Sequence, residues 1–178
     1  MSHIKRDFHM HTDLSTCAAR EAKLPAMVAA ARAAGVEHIG ISDHFHELHR
    51  DFAEMARINR QLVEQEKSRD SSLNLYLGCE AQMDSPDRCT IDAALASQFD
   101  YVMCSCNHYH LRQVENPEDR SPAGYARHYL RMVEGAIDTG FVDVIVHPFL
   151  HDKIANVDQL AVLEAYDRAE LDRILKKA

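Results

Sequence analysis

The strongest constraint on the fold of this chain is a regular alternation between short apolar runs and segments with helical spacing. Four runs have the length and composition of buried strands, and an N-terminal stretch leads from Ile4 into a His-x-His pair. The runs are Val36–Ser42, Leu73–Gly78, Tyr101–Cys106 and Phe141–Val146. Helices are predicted between and after them at 26–34, 51–67, 90–98, 121–140 and 157–177. Strands that alternate with helices form a parallel sheet or barrel, so we expect an α/β fold.

All five of these segments end in residue types that bind metal ions. The N-terminal stretch carries His9 and His11, and a strand period of two would place both imidazoles on one face. The later segments end in Asp43-His44, Cys79-Glu80, Asn107-His108-Tyr109-His110 and His147-Pro148. The carboxyl ends of parallel strands lie on one face, where loops assemble active sites. We therefore expect these groups to meet in space, although they are far apart in the sequence.

In this order, the motifs resemble those of the PHP (polymerase and histidinol phosphatase) domain family of metal-dependent phosphoesterases. The matching pieces are His9-x-His11, Asp43-His44, Gly78-x-Glu80, a histidine after the fourth strand and Val146-His147-Pro148, within residues 4–150. The resemblance implies an α/β fold with a parallel (β/α) barrel of the distorted seven-stranded PHP type. It also implies one PHP-like domain over residues 1–178.

The C-terminal part departs from the family pattern. Family members generally continue through more βα units and contribute a late Asp-x-His, and this sequence has no Asp-x-His after His147. We therefore expect a domain that lacks the C-terminal units, either as a fragment or as a shortened member. An open barrel exposes sheet edges, which proteins normally pair or cover. Self-association into a homo-oligomer would cover them.

The resemblance also implies a set of metal ligands. Carried over to this sequence, they are His9, His11, His44, Glu80, His108 and His147. Imidazole and carboxylate ligands favour Zn²⁺, Mn²⁺ or Fe²⁺ over Ca²⁺ or Mg²⁺, so we expect two or three divalent ions of that group. By resemblance, Glu80 bridges two ions, and Asp43 and Glu80 are the expected catalytic carboxylates. Asp43 would act by orienting a histidine.

Two ligand assignments stay open. Cys17 stands where many relatives have a further metal-binding histidine; a thiolate is a competent zinc ligand, and a buried apolar thiol is the alternative. His110 lies two residues after His108 and would share its strand face, so either histidine fits the fourth-strand position. We expect one of the two to bind metal and the other to face the substrate.

The implied activity is the hydrolysis of a small phosphomonoester, as in a histidinol phosphatase. In that reaction a metal-bound hydroxide attacks phosphorus while the ions neutralise the phosphoryl oxygens. The expected substrate is a small phosphorylated metabolite, and histidinol phosphate is the best-known one of the family. Arg20, Arg112 and Lys153 lie in predicted loops and are candidates to bind phosphate; ordinary solvated charges are the alternative.

Composition argues against several other classes of function. The formal net charge is −8, whereas nucleic-acid-binding proteins usually carry a basic patch, so nucleic acid is not expected as the main partner. No stretch approaches the roughly 20 apolar residues of a membrane helix, and the N-terminus lacks a signal pattern. The five cysteines include no Cys-x-x-Cys pair, which argues against a disulfide framework. We expect a cytoplasmic protein that does not bind membranes.

Two other functions are compatible with these motifs. An amidohydrolase-type metal-dependent hydrolase also begins with a His-x-His on its first barrel strand, although Gly78-x-Glu80 fits the phosphoesterases better. The second is a non-catalytic, metal-binding or structural remnant of a PHP domain. Assays of esters against amides separate the two enzymes.

Overall fold

The computed structural model of the chain describes residues 4–46, 50–69, 71–150, 154 and 156–178. Strands and helices alternate through most of this length. In chain order the elements are β1 (Arg6–Met10), α1 (Leu24–Ala33), β2 (His38–Ile41), β3 (His44–Phe45), α2 (Phe52–Arg69), β4 (Asn74–Ser85), β5 (Arg88–Cys89), α3 (Ala93–Ala96), β6 (Tyr101–Ser105), α4 (Pro122–Asp138), β7 (Val144–Ile145), α5 (Gln159–Glu164) and α6 (Arg168–Lys177). The predicted α/β class with parallel strands is confirmed.

The chain divides into two compact units. The first comprises the chain up to Glu80 together with Ala94–Val102, and the second comprises Ala81–Ala93 and Met103–Ala178. Strands β4 and β6 each contribute residues to both units. The chain therefore enters each unit twice.

The first unit is built on the parallel strands β1, β2 and β4. Arg6 pairs with His38, and His38 pairs with Asn74 on its other side, which sets the register of the three strands. Helix α1 adds an apolar stripe with the i, i+4, i+7 spacing of an amphipathic helix. Strands and helices share one core, whose buried side chains include Leu24, Val28, Ile39, Ile41, Val63, Leu75 and Leu77.

Tyr101, at the start of β6, explains two glycines of the first unit. Its side chain occupies the space that a Cβ atom on Gly40 or Gly78 would need. The Tyr101 hydroxyl donates a hydrogen bond to the carbonyl of Phe8, 2.7 Å away. Gly78 in Gly78-x-Glu80 therefore allows a tyrosine to pack closely against the strand that carries Glu80.

In the second unit, β6 pairs in parallel with β7, and β4 pairs antiparallel with β5. Helix α4 contributes many of its buried side chains, among them Tyr129 and Met132. The hydroxyl of Ser121 caps this helix by accepting a hydrogen bond from the N–H of Gly124 at 3.1 Å. This cap begins the helix close to its predicted start.

The prediction of a single C-terminal helix at 157–177 is wrong. The chain forms two helices there, α5 and α6. The carboxylate of Asp167 caps α6 by accepting hydrogen bonds from the N–H groups of Ala169 and Glu170. This local cap starts a new helix, which the apolar spacing does not reveal. None of the helices in the described part of the chain combines the length and apolar character needed to span a bilayer.

Three other predicted elements differ in length. Strand β4 continues to Ser85 rather than ending at Gly78, and its residues stay buried throughout the added part. The strand predicted at 141–146 is reduced to the two residues of β7, and the helix predicted at 90–98 is reduced to α3. Burial on both faces removes the polar alternation that would mark the end of a strand such as β4.

Candidate metal centre

One carboxylate oxygen in the first unit faces three imidazole rings. Oε2 of Glu80 lies 2.9 Å from Nε2 of His9 and 3.3 Å from Nε2 of His11. Nδ1 of His44 lies 3.4 Å from the same oxygen. We call these four residues the N-terminal cluster. The structure thus brings together four predicted ligands from the end of β1, the start of β3 and the middle of β4.

The N-terminal cluster combines a buried carboxylate with histidines of different exposure. Glu80 is 1% exposed, and the side chains of His44 and His9 are 12% and 34% exposed. The hydrogen bond to Glu80 raises the pKa of His9, whereas burial lowers the pKa of His44 to about 4. Near neutral pH His44 is therefore uncharged, which is the form that binds metal ions.

The donor set of this cluster fits a divalent ion. Nδ1 of His11 is buried and has no hydrogen-bond partner among the residues that the structure describes. Buried polar atoms normally have a partner, and a bound ion would provide one. Ligand atoms of His9, His11 and Glu80 all lie within 4.8 Å of one another. Imidazole nitrogens and a carboxylate oxygen suit Zn²⁺, Mn²⁺ or Fe²⁺.

Cys17 lies beside the same residues. Its sulfur and one nitrogen each of His11 and His44 lie within 4.8 Å of one another. The Cys17 side chain is exposed, so the alternative that it is a buried apolar thiol is wrong. The other cysteines differ from it, since Cys79, Cys104 and Cys106 are buried and Cys89 is partly buried.

The buried carboxylate of Asp43 holds the loop that follows β1. Its Oδ1 accepts hydrogen bonds from the N–H of Thr12 at 2.7 Å and the hydroxyl of Ser15 at 2.8 Å. Its Oδ2 accepts hydrogen bonds from the Thr12 hydroxyl at 2.7 Å and Nδ2 of Asn59 at 3.1 Å. Burial raises the pKa of Asp43, and the hydrogen bonds from Thr12 and Ser15 oppose that shift. The Ser15 hydroxyl also accepts a hydrogen bond from the backbone N–H of His44, so hydrogen bonds link Asp43 through Ser15 to the backbone of that histidine.

Asn59 is a residue of this site that the sequence analysis missed, together with the two hydroxyl residues of the loop. It lies in α2, four residues after Met55 and four before Val63, and all three are buried. A polar residue on the apolar stripe of a helix indicates a buried hydrogen-bond partner. That spacing is visible in the sequence, but the partner, Asp43, is not.

Two further predicted ligands, His108 and His147, lie together in the second unit, and we call them the C-terminal cluster. Their ring centroids are 5.1 Å apart. The ring centroid of His110 lies 5.4 Å from that of His108. The prediction that His108 and His110 share a strand face is wrong, because β6 ends at Ser105 and both histidines lie in the loop after it. The loop still brings the two rings close together.

The amide of Asn107 holds the turn that carries His147. Its Nδ2 donates hydrogen bonds to the carbonyls of His147 at 3.0 Å and Leu150 at 2.7 Å. His147 and Phe149 have φ angles of 31° and 66°, in a region that non-glycine residues rarely adopt. Such backbone persists only where other contacts hold it. The N–H of Phe149 also donates to the Tyr129 hydroxyl at 3.2 Å, and the N–H of Leu150 donates to the carbonyl of His147 at 3.3 Å, so side-chain and backbone hydrogen bonds both stabilise this turn.

A buried chain of polar groups orients Asn107. The Ser105 hydroxyl donates a hydrogen bond to Oδ1 of Asn107 at 3.1 Å, and Nε2 of Gln82 donates one to the carbonyl of Ser105 at 3.1 Å. All three residues are buried, so each of these hydrogen bonds is costly to lose. Because Oδ1 accepts from Ser105, the amide nitrogen faces the turn.

A cavity of about 650 Å³ opens beside His110 in the second unit. It is lined by Tyr109, His110, Asn116, Arg120, Tyr125, Ile154, Asn156 and Val157. The Arg120 guanidinium donates a hydrogen bond to the Tyr125 hydroxyl at 3.1 Å, which donates to Oδ1 of Asn116 at 2.9 Å. A guanidinium has five N–H donors, so Arg120 can also bind an anion. The sequence analysis did not single out Arg120.

Two of the three residues predicted to bind phosphate, Arg20 and Arg112, have no contacts like those of Arg120 within the described residues. Arg20 and Arg112 are exposed, and neither forms an ion pair or a side-chain hydrogen bond within the part of the chain that the structure describes. Lys153 lies outside the described residues. Their role in binding phosphate stays a prediction.

Comparisons with known proteins agree with this architecture. A family model described as PHP domain matches residues 7–176. Among solved structures, the chain is similar to histidinol phosphate phosphatase from Lactococcus lactis subsp. lactis Il1403, complexed with zinc, L-histidinol and phosphate, with a TM-score of 0.62 and 20% sequence identity. The similarity covers 97% of this chain and 67% of that one. A search of the curated proteins found no significant match.

Proposed function

Because this chain belongs to the PHP domain family, as its motifs predict, we propose that it hydrolyses a small phosphomonoester with the help of divalent metal ions. Family membership and the shared fold with a zinc-complexed phosphatase support a metal-dependent phosphoesterase in broad terms. The observation that carries the proposal is Glu80, whose buried Oε2 faces three imidazole rings. Imidazoles combined with a carboxylate are a common donor set of hydrolytic metal centres.

In this proposal the ions are held by the ligands that the sequence predicts. These are His9, His11, His44 and Glu80 in the N-terminal cluster, and His108 and His147 in the C-terminal cluster. Bound ions would neutralise the phosphoryl oxygens and lower the pKa of the attacking water. Two or three ions are expected, and zinc is the first to test because the similar phosphatase holds it.

The residues of this chain have two separate roles in the proposal: some belong to the metal centre, and others position the ligands. Glu80 provides the carboxylate of the centre, and its hydrogen bond with the ring of His9 orients that imidazole. Asp43 is a positioning residue, because all four hydrogen bonds described for its carboxylate hold other protein groups. Asn107 has the corresponding task at the turn of His147. Ligands that are already fixed in this way bind an ion without the entropy cost of becoming ordered first.

The substrate we favour is a small phosphorylated metabolite. The cavity beside His110 has a volume within the ordinary range for small-molecule sites, which is roughly 300–1,000 Å³. Its lining includes a guanidinium, two phenol hydroxyls and two side-chain amides, which suit a polar and anionic ligand. Histidinol phosphate is the first compound to test, because the similar phosphatase was solved with L-histidinol and phosphate.

The test is phosphate release by the purified full chain after removal of metal and reloading with Zn²⁺, Mn²⁺ or Fe²⁺. The panel contains small phosphomonoesters, including histidinol phosphate, and amide substrates of similar size. We expect metal-dependent release of phosphate from monoesters, with activity at background in Glu80→Gln and His9→Ala. Glu64→Gln, an exposed glutamate of α2, is the matched control and should keep full activity.

Three outcomes would contradict the proposal. Hydrolysis of amides but not of esters would favour an amidohydrolase-type enzyme. Tight binding of ions without turnover of any ester would indicate a structural or metal-binding remnant. Undiminished activity in Glu80→Gln would disprove the site itself.

A further inference from the structure

The loop after β1 brings a thiol to two imidazoles of the N-terminal cluster. The sulfur of Cys17 and one nitrogen each of His11 and His44 all lie within 4.8 Å of one another. In a tetrahedral zinc site, sulfur and nitrogen ligands are about 3.5 Å apart, given metal–ligand distances of roughly 2.0–2.3 Å. Closing the three atoms onto one ion therefore needs shifts of about one ångström or less.

Hydrogen bonds fix this part of the loop close to His44. Ser15, two residues before Cys17, donates to the Asp43 carboxylate and accepts from the N–H of His44. The N–H of Ala18, the residue after Cys17, donates to the carbonyl of Ser15 at 3.1 Å. Cys17 is thus enclosed by a turn whose first residue is bonded to the strand end that carries His44. Its closeness to that histidine is a consequence of the buried Asp43 network.

From this geometry we infer that Cys17 is a thiolate ligand and, with His11 and His44, gives the centre a preference for zinc-class ions. The inference rests on the proposed function only in that the ion belongs to the same centre. Thiolate ligands select Zn²⁺ over Mn²⁺ and Mg²⁺, which prefer oxygen. The neighbouring triad of His9, His11 and Glu80 contains no sulfur. Both triads include His11, so the Cys17 thiol would influence which metal ion binds beside that histidine.

Exposure distinguishes Cys17 from the other thiols. It is the exposed cysteine, whereas Cys79, Cys104 and Cys106 are buried in the way that small apolar groups are. An exposed thiol contributes little to packing, so replacing it should leave the fold intact. Cys17→Ser removes the sulfur ligand, and Cys17→His replaces it with a nitrogen ligand. Cys89→Ser is the matched control outside the triad.

The experiment uses Co²⁺ as a spectroscopic probe in the full chain. A thiolate bound to Co²⁺ gives an intense ligand-to-metal charge-transfer band in the near ultraviolet. Nitrogen and oxygen ligands do not give this band. We expect this band in the unmodified chain and in Cys89→Ser, and its loss in Cys17→Ser and Cys17→His. X-ray absorption of the zinc-loaded chain should show a sulfur scatterer at about 2.3 Å that disappears in the same variants.

Metal affinity provides a second readout. Losing an outer-shell partner already costs roughly 10–100-fold in metal affinity, so we expect Cys17→Ser to weaken Zn²⁺ binding by at least about tenfold. Binding of Mn²⁺ should change much less, because Mn²⁺ gains little from sulfur. Cys17→His should recover most of the affinity for zinc without the band.

Three results would overturn the inference: no binding of Co²⁺, bound Co²⁺ without the band, or a band that survives in Cys17→Ser. The last two results concern the sulfur ligand alone and are separate from a failure of the proposed function. A chain that shows the band and loses it in Cys17→Ser, but releases phosphate from no monoester, would keep the thiolate ligand and disprove the phosphoesterase.

Discussion

Two segments that carry candidate metal ligands are held by buried residues of opposite hydrogen-bonding character. In the first unit, the carboxylate of Asp43 accepts four hydrogen bonds and holds the loop after β1. In the second unit, the amide of Asn107 donates two and holds the turn of His147. The two side chains have nearly the same shape. The difference shows that each was matched to the groups that its segment presents.

The loop after β1 presents donors, whereas the turn at His147 presents carbonyls. A carboxylate only accepts hydrogen bonds, so it suits the N–H and hydroxyl groups around Asp43. An amide nitrogen only donates, so it suits the carbonyls of His147 and Leu150. Asp43 also adds negative charge close to the imidazoles of the N-terminal cluster, which Asn107 does not do for the C-terminal cluster. Exchanging the two residue types should therefore damage both sites, and Asp43 more than Asn107.

The largest effect is expected from Asp43→Asn. One carboxylate oxygen becomes an NH₂ group that must face hydrogen-bond donors, and a charge-assisted set of bonds is lost. We expect the free energy of unfolding to fall by roughly 2–3 kcal/mol and metal affinity by roughly 10–100-fold. Chemical denaturation and metal titration measure the two effects. Asp51→Asn, at an exposed aspartate beside α2, is the matched control; an equal loss in both variants would contradict the role of Asp43.

A smaller effect is expected from Asn107→Asp. Two hydrogen bonds to carbonyls are lost and a carboxyl group faces their oxygen atoms, which should lower the free energy of unfolding by roughly 2 kcal/mol. The turn of His147 loses its restraint, so turnover should fall more than the stability loss alone explains. Steady-state kinetics at a temperature where the variant is folded tests this. Asn74→Asp, at an exposed asparagine, is the control, and unchanged turnover in Asn107→Asp would rule out a positioning role.

Ser15→Ala removes only the bridge between Asp43 and the N–H of His44. The charge-assisted hydrogen bond to Asp43 and the neutral one from the N–H of His44 are lost, while the carboxylate keeps its other partners. We therefore expect the free energy of unfolding to fall by roughly 1 kcal/mol. Zinc affinity should fall by a few-fold, because His44 and Cys17 lose a common support. Denaturation and zinc titration check both values. An effect as large as that of Asp43→Asn would mean that Ser15, rather than the whole network, holds the loop.

The last expected difference is the pH dependence of the metal-free chain. The pKa of His44 is lowered to about 4 from 6.5, so its contribution to stability is present above pH 6.5 and is lost as the pH falls toward 4. The pKa of His9 is raised, so its contribution is present below pH 6.5 and is lost as the pH rises through its folded value. We expect the combined contribution of His44 and His9 to the free energy of unfolding to peak near pH 6.5.

Two variants separate these contributions. His44→Gln should flatten the decline on the acid side, and His9→Gln the decline on the alkaline side. Thermal denaturation of metal-free samples over this pH range gives both profiles. A profile that neither substitution changes would contradict the assigned pKa shifts.

Several features of the protein were predictable from the sequence because their signals are local. The apolar runs of β2, β4 and β6 predict strands, and the residues that follow these runs include His44 and Glu80, which meet in the N-terminal cluster. Pro122 and Gly140 bracket α4 in the expected way. The division into α5 and α6 was not predicted, because the cap at Asp167 competes with an apolar spacing that continues through it.

The sequence by itself determined the α/β class, the family and the candidate ligands, since these depend on residue type and on periods of two or about 3.6 residues. Only the tertiary structure decided what holds those ligands in place. Asn59, in α2, donates a hydrogen bond to the Asp43 carboxylate. Asn107 donates one to the carbonyl of His147, which lies 40 positions later in the sequence. A hydrogen bond between distant segments leaves no periodic trace in the sequence, because its existence depends on where the packed core places the two partners.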